Sequence, residues 1–282
     1  MAGATGTQVN QDKFVKAGVA PFAGRSDGVY CDKSTYGCAG FSNAQLEVPL
    51  SRSMYINVFE DFLGATVIPL NGALDLAEGP WTLKDNSSAG APTTAIVADA
   101  DNGQYAIILA SNDEAEVETL YWNDELNIDT AGGPVMVLYM TVNEDITTND
   151  TLVFGFADAQ NDTTDSTTYN AWFKLAETMD LLIESDNNTT NDDDNDTGIN
   201  LVEDTWYMFK IDCSDPTDCD FFYSTTPGND WTELLASTPF AIGSGVNVQS
   251  YIQIQKSGSG TDSTVPGITI DYVNVYWKRK AL

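Results

Sequence analysis

Histidine is absent from this sequence. That gap excludes Ser-His-Asp and Cys-His nucleophilic catalysis, and it excludes histidine-ligated zinc. Only carboxylates, tyrosine, lysine and cysteine are left to carry any chemistry. Basic residues are scarce as well: 12 Lys and Arg stand against 42 Asp and Glu, a net charge of -30 over 282 residues. Such a charge repels phosphate, so the sequence predicts neither a nucleic-acid nor a membrane partner. No stretch approaches the ~20 consecutive apolar residues of a transmembrane helix. The first ten residues lack the basic start and apolar core of a signal peptide, which predicts synthesis in the cytoplasm without export by the usual route. The four cysteines include no C-x-x-C pair, so a four-cysteine zinc site is not expected.

What is present is uneven. In residues 1–50, Lys13, Lys16, Arg25 and Lys33 balance Asp12, Asp27, Asp32 and Glu47, so the whole charge of -30 falls on residues 51–282. A neutral segment ahead of a strongly acidic body reads either as an attachment arm or as a loosely packed terminus. On the first reading, Phe14, Val15, Val19, Phe22 and Tyr30 are the side chains that it buries against a partner. The division is then an arm at 1–50 and one β-domain at 51–282.

From Met54 onward the text is strand-like. Short runs rich in β-branched and aromatic residues alternate with turns such as Asp101-Asn102-Gly103 and Gly132-Gly133-Pro134. Expected strands cover 54–62, 94–98, 104–109, 115–122, 135–142, 151–157, 169–175, 181–184, 205–211, 220–224, 231–235 and 251–256. Gly155 is placed for close backbone approach. The stretch 186–198 has no apolar residue and reads as a solvated, mobile loop. No helix is expected beyond a turn near Glu125 or Ala73–Leu76. Many short strands with regular turns imply a sandwich or barrel.

The closing strand, Gly267–Trp277, organises the rest. Ile268, Ile270 and Tyr272 share one parity, whereas Val273, Val275 and Trp277 share the other. The switch near Tyr272 predicts either a bulge or a strand covered on both faces. So apolar a segment is expected at the centre of a sheet.

These residues carry a resemblance. Leu152-Val-Phe-Gly-Phe-Ala-Asp158, a strand around Trp172, Glu203-Asp-Thr-Trp-Tyr-Met-Phe-Lys210, Asp220-Phe-Phe-Tyr223 with Trp231, and Ile270-Asp-Tyr-Val-Asn-Val-Tyr276 follow in the order found in concanavalin A-like jelly-roll domains. More narrowly, the order resembles bacteriophage virion proteins that decorate the capsid. The match covers about residues 55–280. It implies an all-β fold, two antiparallel sheets packed face to face and preceded by an extended N-terminal arm. It leaves function open, because this fold hosts lectins, glycosidases and structural modules.

Three constellations are candidates for chemistry. Glu114, Glu116 and Glu118 alternate along one strand and so share a face. The set resembles the spaced carboxylates of the glycosidases of this fold but lacks their middle Asp, and its competing reading is the solvated, acidic face of an edge strand. Asp193, Asn195 and Thr197, with Gly198 and Asp204, approach the spacing of a calcium loop, although strands flank them. No cofactor is expected beyond this calcium. Cys213 and Cys219 flank a five-residue hairpin loop and can bridge, as can Cys31 and Cys38; the alternative is reduced thiols until release into oxidising surroundings. Of the six tryptophans, at least four are expected in packing rather than on a glycan platform.

The expectation is therefore a non-enzymatic virion structural protein, made in the host cytoplasm and carried on the capsid exterior. Its partners would be the major capsid protein, reached through the arm, and further copies of itself. The alternative is a lectin-like surface module that binds host glycans.

Overall fold

Strand formation here follows alternation. Along Val135–Val142 the even positions Met136, Leu138, Met140 and Val142 are buried, while Val137 and Tyr139 are partly exposed. A strand of this kind can satisfy its backbone only through neighbours, and the chain supplies them in two antiparallel sheets. The computed structural model describes residues 55–279 except 63–67, 69–79, 88–89, 98–102, 111–113, 126–127, 145, 148, 177–178, 228–229 and 258–264. The expected arm, with Phe14, Val15, Val19, Phe22, Tyr30, Cys31 and Cys38, lies outside the described residues, as does Ala73–Leu76.

The first sheet, A, runs β14 (Thr232–Leu234), β13 (Asp220–Ser224), β12 (Trp206–Asp212), β7 (Val135–Val142), β16 (Gly267–Lys278), β4 (Tyr105–Ile108) and β3 (Thr93–Ile96), with β1 (Tyr55–Glu60) also on β16. The second, B, runs β11 (Asn191–Asn200), β10 (Asp180–Asn187), β9 (Tyr169–Ala176), β8 (Asp150–Ala157), β15 (Asn247–Lys256), β5 (Glu116–Tyr121) and β2 (Thr82–Asp85), with β6 (Ile128–Asp129) on β15. Among the described residues the helical content is two 3-10 turns, Thr130–Gly132 and Thr164–Ser166. Asn57–Lys280 forms one compact unit.

The sheets meet through aromatic rings. Phe154 and Phe173 of sheet B lie 4.7 and 5.2 Å from Phe209 of sheet A, and Phe173 meets Phe221 edge-on at 5.1 Å. Each fully buried ring contributes about 1.5–3 kcal/mol relative to exposure. At Gly155 sheet B leaves no room for a side chain: an added methyl would stand 2.3 Å from the Ala171 carbonyl oxygen and 2.7 Å from Trp172 Cα. Cys213 and Cys219 are joined by a disulfide across the β12–β13 turn.

Two expectations about strands resolve here. β16 is central, and its pairing with β7 shifts register between Ile270 and Tyr272. The parity switch is therefore a bulge: Ile268 and Ile270 before it, and Val273 and Val275 after it, all face the core. The expected loop at 186–198 is corrected. Asp186 and Asn187 end β10, only 188–190 turn, and Asn191–Asn200 pairs with β10 as the edge strand β11. Polarity misled because an edge strand has one row of backbone groups in water and gains from charges that discourage further pairing.

Candidate functional site

The register of β5 fixes where the three glutamates lie. Ser250 of β15 meets Met136 of β7 across the sandwich, Oγ to Sδ 3.8 Å, so the even residues of β15 face inward. Register places Leu120, Glu118 and Glu116 opposite Ile252, Ile254 and Lys256. Glu116 and Glu118 thus point into the interior, both fully buried. The reading of a solvated edge face is corrected, because β2 pairs on the far side of β5 and removes the edge. Glu114 stands before the strand, partly exposed.

Inside, the two carboxyls differ. Glu116 accepts from Ala110 N at 2.8 Å and pairs with Lys256 Nζ at 3.4 Å, while burial outweighs these partners and raises it. Among the described residues no cation acts on Glu118. Burial, and then the Asp85 carboxyl opposite, pushes it up to about 10, so it keeps its proton at neutral pH and can donate it to Asp85. Neither group reaches a surface where a glycosidic bond could lie between two carboxyls.

The outer face of sheet B carries Tyr121, Val153, Ala157, Trp172 and Tyr251, yet these too are buried. Residues 158–168 cross over them as a strap. Tyr251 Oη donates to Asn161 O at 3.1 Å, and Gln253 Nε2 donates to the same carbonyl at 2.7 Å. Lys84 Nζ holds Gln160 Oε1 at 2.7 Å and Asp162 Oδ1 at 2.8 Å. Burial alone would raise Asp162, but the Lys84 and Gln160 contacts bring it below the usual carboxylate range. At one end of the strap a polar cleft of about 360 Å3 opens between Ser166–Thr168 and the β10–β11 turn, where Asp186, Asn188 and Asn191 line it.

Beside the strap, Lys174 joins two carboxylates: Glu184 Oε2 at 3.3 Å, itself buried, and Asp194 Oδ1 at 2.8 Å on β11. The expected calcium donors lie near, three on β11 and one in the turn after it. Asp193 accepts from Asn191 Nδ2, Asn195 Nδ2 reaches the Asp193 carbonyl, and Thr197 Oγ1 donates to Leu181 O at 2.6 Å. Asp204 lies past the end of β11, in the turn before β12, with its N–H on Val142 O. Among the described residues no group of three or more Asp, Glu or Cys is arranged to hold a metal.

The outer face of sheet A is different, because aromatic rings stand on it in a row. Phe59 of β1 lies 5.7 Å from Tyr272 of β16, Tyr272 5.9 Å from Tyr139 of β7, and Tyr139 5.0 Å from Trp206 of β12. Phe59 is 55% exposed and the other three partly so. Trp81, Trp122, Trp172 and Trp277 are buried, which leaves Trp206 and Trp231 at the surface.

No family model matches the sequence, and no curated protein resembles it. Solved structures do. A protein of unknown function from Shewanella oneidensis MR-1 superposes with a TM-score of 0.56 at 10% identity, over 82% of this chain and 91% of that one. The GlcNAcα1-4Gal-releasing endo-β-galactosidase from Clostridium perfringens gives 0.51 at 10% identity, over 79% of this chain and 63% of that one. The lumenal domain of VIP36 in its Ca2+- and mannose-bound form gives 0.47 at 9% identity, over 80% and 96%. The fold is a concanavalin A-like jelly roll.

Within the jelly roll, sequence reasoning missed the Lys174–Glu184 pair, the strap and the aromatic row. A lysine inside the apolar run Tyr169–Ala176 was the one available signal for the first. The others depend on register between strands far apart in the sequence.

Proposed function

We propose that the protein is a non-catalytic structural module of a virion exterior, a jelly roll that decorates the capsid and is held there by its N-terminal segment. The observation that carries the non-catalytic half is the orientation of β5: its glutamates lie inside the sandwich, and the outer face of the same sheet is covered by the strap 158–168. The capsid half draws on the resemblance of the strand order to phage decoration proteins and on the charge distribution. Residues 1–50 are neutral, whereas residues 51–282 hold 8 basic and 38 acidic residues. Copies of so acidic a body repel one another over ~8–10 Å at physiological salt, so contact with a shell falls to the neutral segment. Deleting residues 1–50 should give a folded β-protein that no longer joins particles. Loading of the truncated protein at normal occupancy would place the attachment surface on the jelly roll and sink this assignment.

A second reading is a glycan-binding surface module. The aromatic row on sheet A favours it, and purified protein on a glycan array is its direct test.

A further inference from the structure

We propose that the outer face of sheet A is a glycan-binding surface on which the row Phe59, Tyr272, Tyr139 and Trp206 receives an extended, uncharged polysaccharide strand. The inference deepens the glycan-binding reading and depends on it. The four side chains come from four successive strands, β1, β16, β7 and β12, so the row runs across the strands with one ring per strand. Neighbouring strands are ~4.8 Å apart, which sets the repeat of any such row. The observed steps of 5.7, 5.9 and 5.0 Å are close to the length of one sugar ring in an extended chain. Consecutive sugars can therefore lay their C–H faces on consecutive rings.

The surroundings select the ligand class. The hydroxyls of a stacked sugar project sideways and need hydrogen-bonding groups beside the rings. The bulge in β16 adds Asp271 next to Tyr272, whose hydroxyl it holds up toward about 12 after burial has raised it. Asp61 lies close enough to Asp271 to act on it. Two carboxylates at the row, on a body of net charge -30, oppose sulfated or uronic-acid polymers and nucleic acid. Acceptors at the sugar edge suit hydroxyl donors. A broad protein contact fits less well, because the large apolar side chains exposed among the described residues are Phe59, Ile108 and Val202, which lie on separate elements.

The test uses the full chain with cello-, chito- and laminari-hexaose, and polygalacturonate as the anionic control, read by quenching of tryptophan fluorescence. At least one uncharged hexaose should bind, and more tightly than its dimer. Phe59→Ala and Trp206→Ala should each weaken binding about tenfold, whereas Tyr272→Phe, which keeps the ring, should not. Thermal melts check that the variants fold, and Phe59→Asp, at an exposed position, keeps the test open if Trp206→Ala does not. Wild-type binding that survives loss of both end rings places the site elsewhere and leaves the glycan reading standing. Failure of every uncharged hexaose to bind overturns the site and that reading together. Preference for polygalacturonate overturns the ligand class.

Discussion

Asp85 and Glu118 face each other directly across the β2–β5 ladder, two carboxyls where a sheet ordinarily places an apolar or oppositely charged pair. Glu118 is fully buried and titrates at about 10, so folding takes up a proton that the unfolded chain releases. Its stabilising contribution is complete below pH 4.5 and is lost as pH rises toward 10. Glu118→Gln keeps a donor to Asp85 without the proton. Urea unfolding should show the variant gaining on the parent as pH rises, with little difference at pH 4.5 and a clear one at pH 9. Equal differences at both values would falsify the shared-proton account.

The Lys256–Glu116 pair is sealed, with side chains 3% and 0% exposed. Removing one member strands a buried charge, at a cost of about 3–5 kcal/mol. Lys256→Met alone should fall in that range, while Lys256→Met with Glu116→Leu should recover most of the loss. A double-mutant cycle by chemical denaturation measures it, and additive losses would show that the pair does not act as one unit.

Gly155→Ala should cost about 3 kcal/mol or more, because the new methyl meets a backbone carbonyl that β9 cannot move aside. Thermal unfolding reads the loss. A variant within a degree of the parent would mean that β8 and β9 can separate.

Peptide mapping under non-reducing conditions should recover Cys213 linked to Cys219. Replacing both by Ser should lower stability by at most ~2–3 kcal/mol, because the closed loop is short.

The strands legible in the sequence were those whose burial shows in composition. Val135–Val142 and Asp220–Ser224 were read to the residue, since apolar runs between Gly/Pro and Asp-rich turns leave few alternatives. Thr82–Asp85 was missed: four residues, two of them charged, carry too little pattern. That omission propagated, because without β2 the strand β5 looked like an edge and its glutamates looked solvated. Parity placed Glu116 and Glu118 on one face but could not say which face was inside; that depends on their pairing with Ile254 and Lys256, more than 130 residues further on. The aromatic row hid for the same reason. Tyr139 and Trp206 meet only because β7 and β12 pair in one register, and nothing local to either residue announces the neighbour.

β16 lies between β7 and β4, yet it leaves the ribosome after every strand it joins. Until then sheet A exists as three pieces, and the long apolar strand Val135–Val142 has one unpaired edge. An open edge of that kind recruits other chains. Recovery of this protein from cells should accordingly depend on synthesis rate and chaperone supply until β16 is in place, even where the finished sandwich is stable.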